Sequence, residues 1–158
     1  MGLHLPFALL LHLLAAVIWI GGMFFAYLCL RPAVGEVLAG IDRARLWAPT
    51  LRRFFGWVWL AVIVLPVTGY WMGYHLYGGM AGYPIHVHVM HGLGWLMIVL
   101  FALVYLLPFR RLQRAVASGD APNAGASIGW IRRIVAVNLA LGLFIVLVVS
   151  LGRYIPFL

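Results

Sequence analysis

Long apolar runs separated by short polar intervals set the pattern of this chain. Residues 5–30, 54–74, 86–109 and 134–152 contain no Asp, Glu, Lys or Arg. Each run is about 20 residues or longer, enough at roughly 1.5 Å per residue to cross about 30 Å of hydrocarbon. Backbone polar groups inside a bilayer have no water to bond, so each run is expected to be a helix. The predicted fold is all-α: a bundle of four transmembrane helices forming a single transmembrane domain over residues 1–158.

Composition agrees with this pattern. A chain that is 66% hydrophobic and 9% charged, with mean hydropathy +1.08, falls outside the range of soluble domains. The first run has no basic residue before it and is longer than the apolar core of a signal peptide, so it reads as a retained helix. Pro6 stands where a myristoylation signal would carry Ser or Thr, and no lipid anchor is expected.

The formal charge of +8 is distributed unevenly. Ten of the eleven basic residues, all arginines, fall between positions 31 and 53 or between 110 and 133, the segments that follow the first and third runs. By the positive-inside rule these segments are cytoplasmic and both termini face the periplasm, in a bacterial inner membrane. Topology accounts for the arginines, so no nucleic-acid partner is expected; the partner implied is the lipid bilayer. Trp71, Tyr74, Tyr77, Tyr83 and Tyr154 supply an aromatic belt at the opposite interface. Cys29 is the only cysteine, which excludes an internal disulfide.

Between the runs, residues 41–47 read as an amphipathic stretch along the cytoplasmic surface, and residues 115–127 as a solvated connector. Gly69 and Gly73 make a small-xxx-small pair suited to close helix packing or to a flat cofactor, and Pro66 is expected to kink the second helix. Asn138 reads as a bridge between helices. No phosphate loop or Ser/His/Asp arrangement occurs, and only three acidic residues are present, so soluble-enzyme chemistry is not supported; whether the chain is an enzyme stays open.

All six histidines lie toward the side away from the arginine segments. Between Met72 and His91, four histidines and three methionines occur within twenty residues. Imidazole and thioether donors suit copper, and the lack of carboxylates argues against calcium or magnesium. On the third helix His88, His91 and Trp95 share a face, whereas His86 points roughly 160° from His88 and joins them only if the helix starts after it. Met72 and His75 share a face with Thr68 on the second. His12 lies about seven residues, roughly 10 Å, inside the first helix, a depth at which an imidazole needs a bond or a ligand. The candidate metal ligands are therefore His12, His88 and His91, with Met72, His75, His86 or Met90.

A second reading uses the same residues. His12 and a third-helix histidine could ligate haem b, with Trp19, Trp95 and the glycines as flat walls, in a redox protein exchanging electrons with quinone or a periplasmic oxidant. A third is a structural subunit whose histidines bind nothing. Oligomeric state is not indicated by any feature of the chain.

The run His12-Leu-Leu-Ala-Ala-Val-Ile-Trp19-Ile-Gly21-Gly22 resembles the opening helix of the bacterial copper-resistance D (CopD) family. Arg53-Phe54-Phe55 through Thr68-Gly69-Tyr70 resembles its second helix, and Ile131-Arg132-Arg133 through Gly142 its last. The resemblance implies an inner-membrane copper-binding protein of copper uptake or tolerance, with its metal site toward the periplasm; a site so placed could exchange copper with a periplasmic copper carrier. The HemJ-type membrane proteins share the His-x6-Trp pattern more distantly. Both groups usually carry a lysine on the third helix. This chain has no lysine, and Met90 or His91 occupies that region, a substitution that favours metal over oxidase chemistry.

Overall fold

The computed structural model describes residues 3–152, all helical apart from short turns. Four helices are long and apolar enough to cross a membrane: α1 (His4–Val37), α2 (Gly40–Tyr77), α3 (Ile85–Ser118) and α4 (Ala121–Gly152). The protein is a multi-pass membrane protein. Its helices run in alternating directions because the connections are short, so among the described residues the arginines collect at one end of the bundle and the histidines at the other.

Every helix extends further toward the arginine end than the apolar runs predict. Residues 41–47 do not lie along the surface; they form the opening turns of α2. The reason is a continuous buried face, Ala44, Trp47, Ala48, Leu51, Phe55 and Val58, whose spacing of three and four persists through the polar residues between. Residues 115–127 are likewise not a loop. Only Gly119 and Asp120 interrupt the helices there, and the hydroxyls of Ser118 and Ser127 donate to the carbonyls of Arg114 and Asn123 in the preceding turn. Those polar residues satisfy themselves along the helix, so their composition does not signal a break.

Left-handed glycines stop the chain where it must turn. Gly119 at φ 72° ends α3, and Gly78 at φ 70° ends α2 with its N–H on the Tyr74 carbonyl. Between α1 and α2, the Arg43 guanidinium donates to the Leu38 carbonyl at 3.0 and 3.1 Å, closing the turn. Wide π-helical turns occur at Val17–Gly21 and Phe25–Leu30 in α1 and at Tyr105–Phe109 in α3. Pro32 and Pro108 lack the donor that would continue the ordinary ladder, which accounts for the latter two.

Asp120 begins α4. The Asn123 side-chain amide and backbone N–H both donate to its carboxylate, at 2.6 and 3.0 Å, and these bonds hold its carboxyl below the usual range. A depressed folded pKa means this contribution is complete above the unfolded carboxylate value, about 3.9, and disappears as pH falls through the lower folded value. Hydrogen exchange in the first turn of α4, corrected for intrinsic rate, is expected to stay flat from pH 8 to 5 and to rise only below about pH 4. Asp120→Asn should remove that acid dependence.

The core is densest toward the arginine end. Phe55 is 2% exposed and meets Phe101 at 5.5 Å and Phe109 at 4.9 Å, both edge to face; Trp19 and Trp59 close on Phe101. Toward the histidine end α1 packs along α2 and α3 along α4, while contact between α2 and residues 85–104 of α3 is sparse. Asn138 bridges α4 to α3 as expected, donating to the Met97 carbonyl at 3.3 Å. Trp71, Tyr74 and Tyr77 are exposed near the histidine end, as a belt requires, whereas Tyr83 is turned inward. Tyr154 lies outside the described residues.

Candidate functional site

The sparse packing between α2 and α3 leaves a cavity of about 140 Å³. His12 reaches it from α1, and Met90, His91 and Trp95 reach it from α3. Trp19 and Pro66 also line it, so the ring that breaks the α2 ladder faces the space. The small-residue pair on α2 makes room for side chains rather than for a helix. A methyl group on Gly69 would touch the His12 ring at 3.4 Å, and one on Gly73 would collide with the Tyr83 hydroxyl.

The hydrogen bonds around His12 favour one tautomer. Nδ1 lies 2.8 Å from the Thr68 hydroxyl oxygen, and Thr68 is buried. That hydroxyl directs its single proton to the Val64 carbonyl, 2.6 Å away. A second carbonyl, that of Leu65, lies 3.3 Å from the same oxygen, and with the hydroxyl proton on either carbonyl the oxygen accepts from His12, which assigns the proton to Nδ1 and the lone pair to Nε2. A histidine held by one nitrogen through a hydrogen-bond acceptor, with the other free to donate electrons, has the usual arrangement of a metal ligand.

His91 is held from the opposite side. Its Nε2 lies 3.0 Å from the Tyr70 hydroxyl, and the Trp95 indole N–H donates to the same oxygen at 3.3 Å. In the tautomer with Nε2 protonated, His91 donates to Tyr70 and its Nδ1 keeps a lone pair. Tyr70 thus joins α2 to α3 across the part of the interface where their packing is thin. Tyr70 and Trp95 are 40% and 46% exposed, so the cavity's lateral wall faces the bilayer.

The other candidates lie elsewhere. His88 is exposed and meets Tyr83 with ring centroids 5.6 Å apart; Tyr83, folded back toward Gly73, lines the cavity at that level. His86 lies within α3, which starts at Ile85, and packs against Gly152 of α4. The His75 ring stacks on Trp71 at 4.3 Å and donates from Nδ1 to the Trp71 carbonyl at 2.8 Å, so it does not join Thr68. Met72 is half-buried away from the cavity lining. Among the described residues, no group of three or more His, Cys, Asp or Glu is placed to hold a metal ion. The structure therefore groups His12, His91, Met90, Trp19 and Trp95, and separates His75, His86, His88 and Met72 from them.

Thr68 and Tyr70 are the site residues that spacing alone does not reveal. A signal exists in the run Thr68-Gly69-Tyr70, where two hydroxyls flank a residue without a side chain on an apolar span. Periodicity cannot say that the first orients His12 and the second His91.

Comparison with curated proteins and with solved structures returned no match. Residues 48–151 match the family described as Copper resistance protein D. The matched region contains Thr68, Tyr70, Met90 and His91 and begins after His12. It covers more than half of the chain, and the chain therefore belongs to the copper resistance protein D family.

Proposed function

We propose that this protein binds copper(I) in the cavity between α1, α2 and α3, with His12 Nε2 and His91 Nδ1 as imidazole ligands and the Met90 thioether beside them. The observation that carries the reading is the bond between His12 and Thr68, which puts a lone pair on Nε2 of an imidazole lining the cavity. The donor set fits copper: nitrogen and thioether groups without a carboxylate favour a soft, readily desolvated cation. The arginine end is assigned to the cytoplasm and the histidine end to the periplasm, in a bacterial inner membrane. Trp19, Phe55 and Phe101 pack tightly beneath the cavity, which supports holding copper at the histidine end and handing it to a periplasmic carrier.

Haem b fits this cavity poorly. Pockets for drug-sized ligands span roughly 300–1,000 Å³, and about 140 Å³ holds little more than a single ring. A copper titration against a chromophoric chelator under anaerobic conditions separates the two. The protein should be colourless and take up stoichiometric copper(I). Thr68→Val keeps the shape but removes the acceptor, and should weaken binding by about 10- to 100-fold. A reducible Soret band with no copper uptake would establish haem instead.

A further inference from the structure

A second cavity, about 540 Å³, opens at the arginine end among the last turns of α1, the first turns of α2 and the first turns of α4. Three cations line it, one from each helix: Arg31, Arg43 and Arg132. Among the described residues no acidic side chain lines it. Asp42 pairs with Arg45 at 3.0 Å, Asp120 is held by Asn123, and Glu36, on the last turn of α1, is exposed and outside the lining. Arg43 is anchored on the Leu38 carbonyl, and Arg31 lies over the Tyr27 ring at 5.1 Å. The side chains lining this cavity thus carry only positive charge.

Its walls change character with depth. Leu28 lies one turn from Arg31 toward the middle of the bilayer, and Val135 lies one turn from Arg132 in the same sense; both line the cavity. Two helices therefore each place an apolar side chain directly beneath a guanidinium. Gly129, one turn from Arg132 toward the arginine end, has nothing within 4 Å of a would-be methyl, which keeps the mouth of the cleft open. A free anion would use the upper part of such a cleft and leave the lower part wet.

We propose that this cleft binds an anionic phospholipid of the arginine-side leaflet, with its phosphate against Arg31 and Arg132 and an acyl chain along Leu28 and Val135. Arg–phosphate hydrogen bonds provide orientation, and an excess of positive charge selects a net-negative headgroup over a zwitterionic one. The site stands independently of copper at the histidine end.

The test is lipid competition on the full chain. Delipidated protein is reconstituted with vesicles of equal phosphatidylglycerol and phosphatidylcholine, extracted in mild detergent, and its retained lipids are counted by native mass spectrometry. Phosphatidylglycerol should be enriched. The Arg31→Gln/Arg132→Gln double variant should lose that enrichment by about 30-fold, as expected for removing two cations near a lipid phosphate. Arg114→Gln/Arg133→Gln, which lie around a different cleft, should retain it. Equal loss in both double variants, or no enrichment in the unmodified protein, overturns the proposal. Displacement of the lipid by millimolar inorganic phosphate would also overturn it, by showing a simple anion site.

Discussion

Replacing His12 with alanine is expected to weaken copper(I) binding by on the order of 100-fold or more, because it removes a ligand, whereas losing a ligand's supporting bond already costs about 10- to 100-fold. His91→Ala should have a comparable effect. His88→Ala should change affinity by less than about threefold, since an exposed ring resting on Tyr83 contributes nothing at the cavity. This contrast matters because helical spacing alone makes His88 and His91 equivalent. The same chelator competition measures all three variants. Equal losses in His88→Ala and His91→Ala would mean that the metal sits nearer the start of α3 than the cavity does.

The largest stability effect is expected at Phe55. Truncation to alanine removes a ring that is 2% exposed and touches Phe101, Tyr105 and Phe109 together. Buried aromatic truncations in soluble proteins cost about 3–5 kcal/mol, but lipid solvates an apolar ring almost as well as a protein core does. The transfer part, about 2 kcal/mol, therefore largely cancels, and lost packing leaves roughly 1–3 kcal/mol. Thermal unfolding in detergent should show a clear fall in midpoint. Trp57→Ala, at 58% exposed, is the control and should shift stability by no more than about 0.5 kcal/mol. Comparable destabilisation by both would contradict a core centred on Phe55.

Much of this architecture is legible in the sequence, for physical reasons that also define where legibility ends. Uncharged runs long enough to span hydrocarbon are a direct consequence of backbone desolvation, so the four helices follow from composition. The arginine-side extensions are hidden because the same helices leave the bilayer and take on polar residues; only the Ala44, Trp47, Ala48 and Leu51 spacing betrays them. His12 is identifiable from its depth, and His91 from its face. The separation of His88 depends on Tyr83, which reaches the cavity only through the path of residues 78–84, a tertiary fact no periodicity encodes. Gly69 and Gly73 show the same limit: their spacing suggests a helix contact, yet what approaches them is an imidazole and a phenol. Small residues indicate close approach without saying what approaches.

The most direct test of the central claim is X-ray absorption at the copper edge on the copper(I)-loaded protein, compared among the unmodified chain, His12→Ala and His91→Ala. The account predicts imidazole scattering together with one sulfur contribution, with the imidazole part reduced in each variant. A copper environment unchanged in both variants would contradict it.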